Sequence, residues 1–117
     1  MIGIDIQQKT LNFAKHNAFN RGVFDNVHLI QGDFAQMNLH RINPDVIFLN
    51  PEIVENANKE NFSIFSDITP DLTYALLKSY NLCKNIILCL PKYAKIQEIA
   101  TLFSTIFKRT DRFIILI

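Results

Sequence analysis

The sequence has few of the features that fix a class of protein at a glance. It contains 117 residues, no tryptophan and only two cysteines, Cys83 and Cys89. Two cysteines are too few for a disulfide scaffold and lack the paired spacing of a zinc site, so we expect both to be reduced core thiols. Positive and negative charges are nearly balanced, with 12 Lys and Arg residues and 11 Asp and Glu residues. This balance excludes a basic surface that binds long nucleic acid non-specifically, and any such partner would be held locally.

Long apolar runs and metal-ligand clusters are lacking too. No apolar run approaches the ~20 residues that cross a bilayer, and Asp5 interrupts the amino terminus too early for a secretory signal. The three histidines, His16, His28 and His40, have no spacing to one another or to cysteine that would make a metal site. We therefore expect an intracellular, soluble protein with one domain, residues 1–117, and with no membrane or metal partner.

The sequence does contain an alternation of strand and helix patterns. Strands are predicted at residues 1–6, 27–31, 45–49, 85–90 and 112–117. The run from Val46 to Leu49 is apolar at consecutive positions, which is typical of a parallel strand covered on both faces. The alternation predicts an α/β fold with a doubly wound, mostly parallel sheet.

Helices are predicted in three of the connections between these strands. The first has Leu11, Ala14 and Ala18 on one face and ends at Gly22. The second begins with Thr69 as N-cap and Pro70 at the first helical position. The apolar faces of the second and third helices are predicted to be Leu72, Leu76 and Tyr80, and Ile96, Ile99, Ala100, Phe103 and Phe107. Residues 50–68 have no clean period and predict a long functional loop.

Polar residues mark the ends of three successive predicted strands. Asp5 ends the first, Gly32-Asp33-Phe34 follows the second and Asn50-Pro51 follows the third. Ligands of open α/β sheets bind at the carboxyl ends of the strands, so we expect these residues to face one crevice. Asp5 can accept hydrogen bonds from both hydroxyls of a ribose, and Asp33 from an adenine amino group beside the ring of Phe34. The pattern outlines a site for the nucleoside part of S-adenosylmethionine.

Asn50-Pro51 suits the acceptor of a methyl group. The Asn50 amide oxygen can accept from an exocyclic amine, and the fixed backbone of Pro51 places the neighbouring carbonyl for the second N–H. Ordinary alternatives stay open for each position. Asp5 is also compatible with the ribose of NAD or with a solvated strand end, Asp33 with a polar turn that leaves Phe34 in the core, and Asn50-Pro51 with a common turn.

Glycine is scarce, and its absence from one place is informative. Nucleotide-binding sheets of this kind normally begin with a strand and a glycine-rich turn whose amides approach the ligand. This chain has only Gly3, Gly22 and Gly32, and it opens on what reads as the second strand. We expect a fold truncated at its amino terminus, as a fragment, as a gene model that starts too late, or as a reduced form that does not hold cofactor normally.

The order and spacing of these motifs resemble a known family. The segments that carry the resemblance are Gly3-Ile4-Asp5-Ile6, the helix segment 14–18, Gly22-Val23, residues 27–34, Asp45 to Pro51, Ile68-Thr69-Pro70-Asp71 and Leu90-Pro91-Lys92-Tyr93-Ala94. Together they are similar to the trimethylguanosine synthases, S-adenosylmethionine-dependent methyltransferases that modify RNA cap guanine at N2. The similarity covers nearly the whole chain.

This resemblance implies a Rossmann-like methyltransferase fold and a set of site residues. Asp5, Ile6, Asp33 and Phe34 would bind S-adenosylmethionine, and Asn50 and Pro51 would be catalytic. The substrate would be capped RNA of the small nuclear or nucleolar type, and the location would be nuclear in a eukaryote. Glu52 and Ile53 stand where the family has a second proline and an aromatic residue that stacks on the methylated guanine.

Two alternatives stay open. The first is a non-catalytic remnant that keeps the methyltransferase fold as a binding or scaffolding module, which the missing glycine turn and Ile53 favour. The second is another amino-methylating enzyme of the Asn-Pro type that acts on ribosomal or transfer RNA.

Overall fold

The computed structural model of the chain describes residues 1–108 and 113–117. The described chain is an α/β structure that divides into two compact units, Met1–Asn38 and Leu39–Ile117. Its strands form three separate ladders: β1 with β2, β3 with β6 and β7, and β4 with β5. The predicted α/β character is confirmed, with parallel pairing in the first two ladders, whereas the single doubly wound sheet and its truncation stay predictions. The prediction that residues 1–117 are one domain stays a prediction.

The first unit is a strand, helix, strand arrangement. The bounds of its elements are Ile2–Asp5 for β1, Gln8–Asn20 for α1, Phe24–Asn26 for a short 3₁₀ helix and His28–Gln31 for β2. The two strands are parallel, with Asp5 opposite Gln31, so both carboxyl ends lie at one edge. On α1, Leu11 and Ala18 are buried as predicted.

Gly22 ends α1 as the sequence predicts. Its φ of 68° lies in the left-handed region that glycine occupies without a steric penalty. The N–H of Gly22 donates to the carbonyl of Phe19, and the N–H of Val23 donates to that of Ala18, each at 3.0 Å. These two bonds form a Schellman motif, which satisfies carbonyls that the helix leaves without an internal partner.

The second unit contains the remaining elements. Their bounds are Ile47–Leu49 for β3, Glu52–Ile53 for β4, Ile68–Thr69 for β5, Leu72–Leu82 for α2, Ile86–Cys89 for β6, Ile96–Ile106 for α3 and Ile114–Leu116 for β7. Strand β6 lies between β3 and β7, parallel to both. The predicted strand 112–117 is thus present at β7, while Arg112 falls outside the described residues.

The core of the second unit collects side chains from α2, α3, β6 and the segment before α2. Its fully buried members are Phe62, Ile64, Leu72, Leu76 and Leu88. The core also includes Ile68, Ile86, Leu90, Ala94, Ile99, Leu102 and Phe103. Four aromatic rings, those of Tyr80, Phe103, Phe107 and Phe113, extend it with centroid separations between 4.0 and 5.0 Å. Both cysteines are free thiols; Cys83 is buried, whereas Cys89 is half-buried and does not belong to the core.

Residues 50–68 are more ordered than the predicted loop. They include β4, and this strand pairs antiparallel with β5, with Glu52 opposite Thr69. Phe62 and Ile64 within the same segment are 0% exposed. The sequence did not predict this order, because a ladder of two residues and two isolated buried side chains are too short to give a periodic pattern of apolar residues.

The start of α2 differs from the prediction by two residues. Asp71, rather than Thr69, is the N-cap, and its Oδ1 accepts from the N–H of Tyr74 at 2.8 Å. Thr69 instead belongs to β5, and Pro70 lies between the strand and the cap. Because Thr69 pairs with Glu52 of β4, the helix begins later in the chain, and the carboxylate of Asp71 caps its first turn.

Three further expectations about burial were wrong. Val46 and Phe48 are 53% and 57% exposed, whereas Leu49 packs on the core, so β3 is not covered on both faces. On α3, Ile96 and Ala100 are exposed, and the helix buries Ile99, Leu102 and Phe103 instead. The apolar residues outnumber the positions that one helix face can bury, and only packing decides which of them face inward.

Candidate functional site

The ends of β1 and β2 carry the residues predicted to bind a nucleoside. Both strands are parallel and in register, and the N–H of Gly32 donates to the carbonyl of Asp5 at 3.0 Å. Asp33 therefore follows a residue that is hydrogen-bonded to Asp5. The structure brings Asp5 and the Gly32-Asp33 turn together at one edge, as the sequence predicts for carboxyl ends of parallel strands.

The Asp5 carboxylate is oriented by its own backbone. Its Oδ1 accepts from the N–H of Gln7 at 2.7 Å, the bond of an Asx turn at a strand end. The side chain of Gln31 also reaches this turn, with Nε2 donating to the carbonyl of Ile6 at 3.3 Å. An ionised carboxylate has about four lone-pair positions. Asp5 is thus a half-buried, oriented acceptor with capacity beyond its local bond.

Asp33 repeats this arrangement in the loop after β2. Its Oδ1 accepts from the N–H of Ala35 at 2.8 Å, while its carbonyl accepts from Gln36 and Met37 at 3.0 Å. Phe34 is half-buried beside it, and Ile6 is exposed. The edge formed by β1 and β2 thus carries two carboxylates that can accept hydrogen bonds, with an aromatic ring beside the second.

Gly32 is required for a close approach in the same loop. A Cβ at this position would lie 2.7 Å from Sδ and 3.3 Å from Cγ of Met37. Real Cβ atoms essentially never approach a heavy atom to 2.7 Å, so any larger residue would displace the Met37 side chain. The glycine therefore permits the Met37 side chain to pack closely against the residue before Asp33.

Asn50 and Pro51 lie in the second unit, between β3 and β4. Asn50 is exposed and Pro51 is half-buried. Both ends of this dipeptide are fixed by pairing, since Leu49 opposes Leu88 of β6 and Glu52 opposes Thr69 of β5. Pairing of the strands on both sides fixes the backbone of Asn50 and Pro51, and the Asn50 side chain is exposed to solvent.

The start of β3 is braced as well. The carbonyl of Asp45 accepts from Nδ2 of Asn85 at 2.9 Å and from the thiol of Cys83 at 3.3 Å. The N–H of Ile47 donates to the carbonyl of Asn85 at 2.9 Å. The junction between α2 and β6 thus sets the register of β3, and with it the position at which Asn50 emerges.

Sequence reasoning missed Glu98 and the bonds that it makes. Its Oε1 accepts from Oγ of Ser63 at 2.8 Å, and its Oε2 accepts from the N–H of Ile64 at 3.0 Å. Asp67 closes the same turn, because its Oδ2 accepts from the N–H of Ser63 at 2.8 Å. The carboxylate at the start of α3 therefore fastens the segment that follows Asn50-Pro51. Its 34-residue separation from Ile64 left no sequence signal.

Ile53 packs inward from β4. It is half-buried and lies against the core cluster, while Glu52 beside it is exposed. An aromatic ring that stacks on a ligand must present a face to solvent. Ile53 has no aromatic ring and packs against the core, so this position does not supply a surface on which a base can stack.

The titratable side chains of residues 1–108 and 113–117 do not gather into a metal-binding cluster. Within these residues no group of three or more His, Cys, Asp or Glu side chains could hold a metal ion. The helices of the same residues are all too short or too polar to span a bilayer. The three histidines are exposed, and Nε2 of His16 is 2.9 Å from Nδ2 of Asn20.

The α/β scaffold with parallel ladders, which carries two carboxylates at its strand ends and an Asn-Pro connection after another parallel strand, is compatible with a methyltransferase-like fold. A family model described as RNA cap guanine-N2 methyltransferase matches residues 1–116 of the chain. The match covers nearly every residue, and the chain belongs to this family.

Proposed function

We propose that the chain is an S-adenosylmethionine-dependent methyltransferase that acts on N2 of an RNA cap guanine. The observation that supports this most strongly is the family match over residues 1–116 together with two oriented carboxylates at the ends of β1 and β2. Small nuclear or nucleolar RNA as the substrate, and a nuclear location in a eukaryote, belong to the same proposal.

In this proposal the first unit holds the adenosine. Asp5 accepts from the ribose hydroxyls with the oxygen capacity that its bond to Gln7 leaves, and Asp33 accepts from the adenine amino group. Phe34 and Ile6 supply apolar contact to the base and the sugar. The local Asx bonds matter because they fix both carboxylates before the ligand arrives, which lowers the ordering cost of binding.

The second unit orients the acceptor amine. S-adenosylmethionine, when bound, would supply an electrophilic methyl group: the carbon–nitrogen bond would form as the carbon–sulfur bond breaks, and the amine would release one proton to solvent. The amide oxygen of Asn50 and the carbonyl that Pro51 positions accept the two N–H bonds of the amine, so its lone pair is directed along the line of attack. Such a displacement gains chiefly from positioning, and the pairing on both sides of Asn50-Pro51 provides it.

The direct test is methyl transfer from labelled S-adenosylmethionine to RNA with a methylated guanine cap. The control RNA carries a cap in which hypoxanthine replaces guanine and so lacks the 2-amino group. We expect Asn50→Ala to lower the single-turnover rate on the guanine cap about 100-fold, with cofactor affinity changed less than twofold. Asn56→Ala, an exposed asparagine of the same segment, is the matched control and should retain the rate.

Two results would contradict the proposal. Equal transfer to both caps would exclude N2 as the acceptor, and equal rates for Asn50→Ala and the wild type would remove Asn50 from the acceptor site. The inward packing of Ile53 favours a second candidate, a non-catalytic module that keeps the fold and binds RNA. Cap binding by the wild-type chain without any methyl transfer would support that candidate.

A further inference from the structure

The first unit has a second surface feature away from its strand ends. A groove of about 560 Å³ is lined by Asn12, Lys15, His16, Phe19 and Phe24, and we call it the α1 groove. Its volume lies within the ~300–1,000 Å³ of typical small-ligand sites. The function proposed above uses none of these five residues.

The groove follows directly from the helical period. Asn12, Lys15, His16 and Phe19 are spaced by three and four residues, so they form one continuous face of α1. Leu11 and Ala18 are the buried residues of the helix, which leaves this face to solvent. Phe24, from the 3₁₀ helix that follows, closes the groove on one side.

Two features of the lining fit a nucleotide. Phe19 is 73% exposed, which is unfavourable for a phenylalanine in water and offers an aromatic face for stacking. The Lys15 ammonium lies 5.7 Å from the centroid of the Phe24 ring, a cation–π arrangement that holds the charge beside Phe19. Asn12 and His16 line the same face. Oδ1 of Asn12 accepts from Nε2 of Gln8 at 3.0 Å and Nε2 of His16 pairs with Nδ2 of Asn20 at 2.9 Å, so Nδ2 of Asn12 and Nδ1 of His16 are the atoms that they offer to a base.

The charge around the groove favours an anion. Lys15 lines the groove, helix α1 contains no Asp or Glu, and Arg21 follows directly after the helix. Asp25 is the one acid in residues 6–27. A local positive charge next to an exposed aromatic ring is the combination by which proteins bind single-stranded nucleic acid, through phosphate contact and base stacking.

We infer that the α1 groove binds one unpaired nucleotide of an RNA strand. The base stacks on Phe19, the adjoining phosphate pairs with Lys15, and Asn12 and His16 contact the polar edge of the base. The inference rests on the proposed function in so far as RNA is the substrate class. The α1 groove would contact a nucleotide of the RNA other than the cap. Such a local contact agrees with the expectation that a chain of net charge +1 binds RNA locally.

The experiment measures binding of the full chain to an uncapped, unstructured RNA of ten nucleotides by fluorescence anisotropy. Helix α1 provides matched controls for both residues. Phe13 is 60% exposed on the same helix, and Lys9 is an exposed lysine on it, yet neither lines the groove. We expect Phe19→Ala and Lys15→Gln each to weaken binding at least fivefold, while Phe13→Ala and Lys9→Gln change it less than twofold.

A second measurement does not depend on substitution. RNA that contains 4-thiouridine should crosslink to the tryptic peptide of residues 16–21, which includes Phe19. Equal effects of Phe19→Ala and Phe13→Ala, or crosslinks confined to other peptides, would overturn the inference. So would a loss of self-association in Phe19→Ala with RNA affinity unchanged, since the groove would then be a protein interface. Because the RNA has no cap, failure here leaves the methyl-transfer test intact, and failure of methyl transfer leaves this test intact.

Discussion

The backbone N–H of Gly32 donates a 3.0 Å hydrogen bond to the carbonyl oxygen of Asp5. This bond extends the parallel pairing of β1 and β2 by one step beyond Gln31, to the residue immediately before Asp33. Two acids that are far apart in sequence are therefore held at one edge by backbone geometry. Each also accepts a backbone N–H two residues further along the chain, Gln7 for Asp5 and Ala35 for Asp33.

Asp5→Asn should weaken binding of S-adenosylmethionine about tenfold or more. The amide keeps an oxygen for the N–H of Gln7 but loses the charged acceptor for the ribose hydroxyls, and a hydrogen bond to a charged group contributes about 1.5–3 kcal/mol. Isothermal titration calorimetry measures the affinity. Asp25→Asn, an exposed acid of the 3₁₀ helix, controls for net charge and should bind as the wild type does. Equal affinities in all three proteins would remove Asp5 from the site.

Glu98→Ala should lower the free energy of unfolding by about 2 kcal/mol, because Ser63 and Ile64 both lose a half-buried, charged acceptor. Glu98→Gln should lower the free energy of unfolding less, because the amide oxygen of glutamine still accepts a hydrogen bond. A double-mutant cycle with Ser63→Ala in urea denaturation should give a coupling energy of about 0.5–3 kcal/mol. Additive effects, with unchanged hydrogen exchange at the Ile64 amide, would show that the carboxylate does not fasten this segment.

Ser79→Ala should stabilise the protein by about 1 kcal/mol. Ser79 on α2 is 0% exposed, and its Oγ is buried without a hydrogen-bond partner among the described residues. Removal of an unsatisfied hydroxyl recovers its desolvation cost and leaves only a small change in volume. Thermal unfolding measures the change, and Ser104→Ala, whose exposed hydroxyl bonds to Thr101, is the control. A lower melting temperature for Ser79→Ala would mean that this hydroxyl has a partner in solution.

Gly22→Ala should destabilise the protein by about 1 kcal/mol. A side chain finds open space at this position, so the cost comes from the φ of 68° alone. Gly22→Asn should cost less, because asparagine tolerates the left-handed region better than alanine. Chemical denaturation ranks the three proteins. Equal stability of the two variants would indicate that the helix ends differently from the Schellman motif described above.

The sequence by itself determined the order of the main strands and helices, without β4 and β5, and the positions at which polar residues emerge. The apolar runs predicted β1, β2, β3 and β6 because strands are rich in β-branched and other apolar residues. Gly22 predicted the end of α1 because few other residues adopt a positive φ. Asp5 and Asp33 were predicted to lie at one edge since parallel strands share a direction.

Only the tertiary structure decided which side chains are inside and what braces the loops. Thr69 and Asp71 are both good caps by residue type, and pairing of β5 with β4 gave the role to Asp71. Glu98 reaches a segment 34 residues away, and no local pattern encodes such a bond. The helical and strand periods depend only on residues that are close in the sequence. Burial and long-range hydrogen bonds depend on residues that come together only when the chain folds.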